Sequence, residues 1–123
     1  MTSAEFVRRL RIAVYDSAVD NCLELLRAPA GRRPSESTLS LAQWFNPLSS
    51  RDQDRVREVV QLAARTAVFG MLALLDGVTA IREDDESVGD FELRYNVEGE
   101  SVLLNGPGID MLHDLFAAEV PPA

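Results

Sequence analysis

Residues 49–77 read SSRDQDRVREVVQLAARTAVFGMLALLDG, and the organisation of the whole chain follows from this stretch. Ser50 and Gln53 stand at capping-box spacing, in which each side chain satisfies a free backbone N–H of the first helical turn. Asp52 and Asp54 favour the positive end of a helix dipole. Val56, Val59, Val60, Ala63, Ala67, Met71 and Leu74 then mark an apolar stripe at helical spacing. Beyond Leu62 the segment is apolar nearly all round, interrupted only by Arg65, Thr66 and Gly70. A helix apolar on every side is expected to be covered on every side, so this one is placed at the centre of the fold. Gly70 inside it costs about 1 kcal/mol relative to alanine, which a closely packed neighbouring backbone would offset. Gly77 after Asp76 fits a helix C-cap.

Working upstream, Thr2 and Glu5 repeat the capping-box spacing and open a first long helix. Its expected buried stripe is Val7, Leu10, Val14, Ala18, Cys22 and Leu25, widened by Phe6, Tyr15, Val19, Leu23 and Leu26. Pro29 requires the helix to end before it, because the residue preceding a proline is pushed out of the helical region. A loop holding Pro29, Gly31, the pair Arg32–Arg33 and Pro34 follows. A short helix is expected from about Thr38 to Phe45, where Asn46-Pro47 breaks it.

Downstream of Gly77 the period changes. Val78, Ala80 and Ile81 suit a short strand. Phe91, Leu93, Tyr95 and Val97 alternate with Glu92, Arg94 and Asn96, the pattern of a half-buried strand. Residues 98–101 read as a turn and 102–104 as the return strand. After the breaker Asn105-Gly106-Pro107-Gly108, a last helix is expected from about Ile109 to Ala117, capped by Asp110 or the Gly108 region. Residues 118–123, with Pro121-Pro122, read as a frayed tail. The expected architecture is one α+β domain over residues 1–123. It is helical over 1–77, with a hairpin and C-terminal helix over 78–117. Two long helices and short helices pack on a small antiparallel sheet of two or three strands. An isolated hairpin is marginal, so it is expected to lean on the central helix or on another subunit.

Composition narrows the function classes. The chain has 123 residues, 46% of them hydrophobic, which suits one folded domain. Cys22 is the only cysteine, so neither an intrachain disulfide nor a multi-cysteine metal site can form. Arg8, Arg9 and Arg11 interrupt the place where a signal peptide would need an apolar core. The longest apolar run, Ala67 to Leu75, has nine residues, about half of what spans a bilayer. A cytoplasmic protein with no membrane contact is the expectation. All 12 basic residues are arginine, and the net charge is −8. Residues 1–66 carry 10 Arg and 8 acids, a net of +2, whereas residues 67–123 carry 2 Arg and 12 acids, a net of −10. That half repels a phosphate backbone, which disfavours nucleic acid, and it attracts a basic protein.

No catalytic constellation stands out. His113 is the only histidine, and Asp114 beside it on a helix diverges from it. Cys22 falls on the expected apolar face, where a buried small hydrophobe is the commoner role than a nucleophile. No cofactor or metal is expected. The run Glu83-Asp84-Asp85-Glu86, with Asp90 and Glu92 nearby, lacks the spacing of a calcium loop and reads as a solvated connector or as a contact for a basic partner. Trp44, beside Phe45 and Pro47, is open to two roles, core anchor or interface contact. The expected partner-binding residues are therefore Glu83, Asp84, Asp85, Glu86, Asp90, Glu92 and Trp44.

Four stretches carry a family likeness: Leu41-Ala42-Gln43-Trp44-Phe45-Asn46-Pro47-Leu48, the run from Phe69 to Gly77, the run from Gly89 to Tyr95, and Leu112-His113-Asp114-Leu115-Phe116. Residues 40–116 resemble a class of small bacterial proteins, some of which act as immunity partners of polymorphic toxins. The resemblance implies no catalytic residues. It implies a non-catalytic protein-interaction module, an immunity-type inhibitor covering a basic toxin face with its acidic half. Two alternatives are a structural homo-oligomer such as a homodimer, favoured by the apolar surface of the central helix, and a small-molecule or divalent-cation binder resting on the acidic cluster.

Overall fold

A computed structural model describes residues 1–29, 31, 33–79 and 89–122. Its elements are α1 (Ser3–Leu10), a π-helical segment (Arg11–Asp16), α2 (Ser17–Arg27), α3 (Glu36–Phe45), α4 (Ser50–Leu75), β1 (Arg94–Val97), β2 (Glu100–Leu103) and α5 (Leu112–Glu119). The fold is α+β: among the described residues, five α-helices and the π-helical segment accompany one antiparallel pair of strands. Val78 is exposed and takes no part in a strand. Ala80, Ile81 and the run Glu83 to Glu86 lie outside the described residues.

The first helix starts as its sequence dictates. Thr2 accepts from the Glu5 amide at 3.1 Å while the Thr2 amide donates to the Glu5 carboxylate at 2.8 Å. These bonds hold the Glu5 carboxyl below its ordinary pKa, the Thr2 backbone N–H being the largest cause. The π-helical segment then changes which face turns inward. A π turn holds more residues than an α turn, so it advances the helix by about one residue. Ser17 Oγ reaches back five residues to the Ile12 carbonyl at 3.1 Å. From Tyr15 within it onward the buried residues are Tyr15, Val19, Leu23 and Leu26, the expected flank of the stripe, each one position after Val14, Ala18, Cys22 and Leu25. Those four are exposed, Cys22 included, so the cysteine is not the core residue its spacing suggested.

α3 begins at Glu36, two residues before the expected Thr38, because Ser35 accepts from the Thr38 amide as its N-cap. It ends at Phe45, where Asn46 Nδ2 donates to the Leu26 carbonyl at 3.0 Å and the Ala42 carbonyl at 2.9 Å, tying α3 to the end of α2. α4 is capped by Ser49, whose Oγ accepts from the Asp52 amide, rather than by Ser50, which is already helical.

α4 departs most from expectation. Its inward stripe is Val56, Val60, Ala64, Val68, Leu72 and Leu75, packed on the core of Val7, Val19, Leu23, Leu112 and Phe116. Val59, Ala63, Ala67 and Met71 face outward. The helix is therefore covered on one side only. Its neighbours α2, α5 and the π-helical segment lie toward that inward side, and among the described residues no other helix or strand covers the outward one. Gly70 has open space where a Cβ would stand, so no backbone of this chain packs against it. By length and composition α4 could cross a bilayer. Halfway along it, Arg65 Nε donates to the Val120 carbonyl at 2.8 Å.

The strands pair in the register Arg94↔Leu103 to Val97↔Glu100. Their turn is tighter than expected. Only Glu98 and Gly99 lie between them, both at positive φ (50° and 81°), as a two-residue hairpin turn requires. Most strand side chains are exposed, and the hairpin is held at its root. Leu104 is buried, its amide donates to the Leu93 carbonyl at 2.8 Å, and its carbonyl accepts from Ser3 Oγ at 2.7 Å. α5 runs to Glu119 and Val120 is buried, so the chain stays packed past the expected onset of fraying at 118.

Candidate functional site

Three elements meet at the C-terminal end of α4, and two buried polar side chains join them. Asn105 closes the hairpin root. Its Oδ1 accepts from the Leu93 amide at 2.7 Å, and its Nδ2 donates to the carbonyls of Leu75 at 2.6 Å and Phe91 at 2.9 Å. The Leu75 carbonyl is one of those an α-helix leaves free in its last turn, so Asn105 satisfies it while fixing the hairpin to the helix. Gly77, at φ 78°, turns the chain away beyond it.

Asp76 is the second joint. Its side chain is almost wholly buried, and Oδ2 accepts from the His113 amide at 2.9 Å and lies 2.6 Å from His113 Nδ1. With Oδ2 already accepting from the His113 amide, Nδ1–H is the donor of the second bond and the carboxylate its acceptor. Met111, the N-cap of α5, makes no side-chain capping bond. Asp76 supplies that cap from another helix and sets its charge at the positive end of the α5 dipole. The expected cap at Asp110 or Gly108 is replaced by this long-range one. Phe69 packs edge-on to the His113 ring, with centroids 5.4 Å apart.

An aspartate orienting a histidine through Nδ1 is half of a general-base arrangement. Here the ring is buried, and its Nε2 lies 3.4 Å from Asp114 Oδ1, so the neighbour expected to diverge stays within reach, but as a carboxylate rather than a nucleophile. The pair serves as a joint between α4 and α5.

Beside these joints opens a cleft of about 440 Å³. Asp76, Asp90 and Glu92 line it together with the apolar Phe91, Leu103 and Met111, and among the described residues no arginine does. Two of these charges are engaged, Asp76 with His113 and Glu92 with Arg94 at 3.0 Å. Asp90 is exposed. Among the described residues no three His, Cys, Asp or Glu side chains converge to hold a metal ion.

The structure thus brings Asp90 and Glu92 together, as their closeness in sequence suggested, and adds Asp76. Trp44 is elsewhere. It lies 54% exposed near the N-terminal end of α4, whose 26 residues span about 39 Å. Phe45 beside it is the core anchor. Asp76, Asn105 and His113 were missed as a group. Asn105 sits in a breaker that reads only as a turn, and His113 was weighed against its neighbour Asp114 rather than a residue 37 positions away. Comparison of the chain with protein-family models, with curated proteins and with solved structures gives no match in any of the three.

Proposed function

We propose that this chain is a non-catalytic protein-interaction module that takes a basic partner at the cleft beside the end of α4. The observation that carries the reading is the cleft's lining, which joins the acidic Asp90 and Glu92 to exposed apolar walls and, among the described residues, contains no arginine. A lysine or arginine from a partner would bury its aliphatic stem on Phe91 and Met111 and set its charge by Asp90. The −10 charge of residues 67–123 would draw such a partner in from a distance. The resemblance over residues 40–116 extends the proposal to an immunity-type inhibitor acting in the cytoplasm on a basic toxin.

The test is capture from the host's own lysate by the tagged chain and by an Asp90→Lys, Glu92→Lys double variant, each at low and high salt. One stoichiometric basic protein, held by the native chain and lost from the variant, is the expected result. Loss at high salt should accompany it, since screening shortens the reach of exposed charges. Equal capture by both chains would remove the cleft from the reading. A homo-oligomer is favoured by a separate observation, the uncovered face of α4.

A further inference from the structure

Among the described residues, the outward face of α4 is an apolar surface that no helix or strand covers, although Val59 and Leu62 at its N-terminal part border a cleft shared with Tyr15 and Pro121. Val59, Leu62 and Met71 are 66%, 64% and 58% exposed. Between them lie Ala63, Thr66, Ala67 and Gly70, all exposed. Val59, Ala63, Thr66 and Gly70 are spaced four, three and four residues apart, the seam spacing of paired helices. We propose that this face pairs antiparallel with the same face of a second copy, about a two-fold axis at Thr66.

Two observations point to a second copy. The first is self-complementarity. A two-fold axis at Thr66 sets Leu62 of each copy at the level of Gly70 of the other. A large exposed side chain then meets a position with open space, and does so twice, as an isologous interface requires. The glycine's cost within the helix is offset by the close approach it permits. The second is charge. A parallel pair would oppose Arg55 to Arg55 and Glu58 to Glu58. The antiparallel pair sets Arg55 near the other copy's helix C-terminus, where carbonyls form the negative end of the dipole and the acidic half of the chain begins.

A bilayer is a different occupant of the same face, and the seam composition favours the helix pair. Four of its seven residues are small or polar, which adds little on transfer to lipid but lets two backbones approach. The charged pair Arg55–Glu58 flanks its N-terminal end. In the antiparallel pair the two clefts open at opposite ends, Asp76 of each copy lying ten residues beyond the axis. The dimer is then bivalent, with its clefts about 30 Å apart along the helices.

The test is the mass of the full chain in solution by light scattering across a concentration series, with two variants. The native chain should give twice 13.6 kDa at micromolar concentration. Gly70→Leu has room within the single chain and should keep its circular dichroism, while weakening the dimer about tenfold or more by overfilling the seam. Thr66→Cys in a Cys22→Ser background should form a disulfide-linked dimer under mild oxidation, because the axis brings each cysteine to its own copy. A native mass of 13.6 kDa at the highest soluble concentration would overturn the proposal. So would an unweakened Gly70→Leu dimer, or a monomer that sediments with phosphatidylglycerol–phosphatidylcholine vesicles, which would make the bilayer the occupant. Basic-partner capture by Gly70→Leu is a separate readout that depends on the cleft, so the two proposals fail independently.

Discussion

The first helical run and α4 each carry two adjacent apolar stripes, and in each the inward one stands a residue away from most of the stripe first marked by spacing. In the first run the cause is backbone geometry. The π-helical segment advances the helix, so Tyr15, Val19, Leu23 and Leu26 replace Val14, Ala18, Cys22 and Leu25 in the core. In α4 the backbone is regular, and the cause is what packs against it. α2 and α5 cover Val60, Ala64, Val68 and Leu72 and leave Val59, Ala63, Ala67 and Met71 outside. An apolar residue on a helix is thus an offer of burial, and its neighbours decide whether the offer is taken.

Neighbouring residues across each boundary give the sharpest tests. Leu72 is 2% exposed and packs in the core, so Leu72→Ala should cost about 2–5 kcal/mol of unfolding free energy. Met71→Ala, one residue away, should fall within about 0.5 kcal/mol when chemical denaturation is followed at concentrations too low for self-association. Equal costs would mean that α4 is turned otherwise. In the first run the same contrast is chemical as well. Leu23→Ala should cost several times more than Cys22→Ser, and the Cys22 thiol should react with a disulfide reagent in the folded protein without prior unfolding. A thiol protected until global unfolding would restore the α-helical register and remove the π turn. The smallest effect lies at the N-terminus, where Glu5 has its pKa lowered. A lowered folded-state pKa adds stability that is present above the ordinary glutamate value near 4.5 and lost as pH falls through the folded value. Glu5→Gln should remove that acid-side slope without changing the midpoint's dependence on pH above neutrality, as thermal unfolding across pH would show.

The elements themselves were legible because their signals are local. Thr2 with Glu5 satisfies amides within one turn, and Pro29, Asn46-Pro47 and Gly77 end helices wherever they occur, whereas the caps of α3 and α4 are Ser35 and Ser49, ahead of the starts read at Thr38 and Ser50. The alternation from Phe91 to Val97 located the hairpin, although its ladder covers only Arg94 to Val97 on that side. The candidate site was legible in part. Asp90 and Glu92 are close in the chain and remain close in the fold. The joints were not, because Asp76–His113 and Asn105–Leu75 span 37 and 30 residues. A hydrogen bond across such a distance leaves no pattern at either end.

The sequence by itself determined the order of the helices and the hairpin, that the class is α+β, and that the acidic charge gathers in the second half. Those features depend on caps, breakers, periods and side-chain charges, which act over a few residues or do not require a fold at all. Only the tertiary structure decided which of two apolar stripes is core on the first helical run and on α4, and which polar groups join α4 to the hairpin and to α5. Burial and long-range hydrogen bonds are properties of pairs of surfaces, and a single segment holds just one member of each pair.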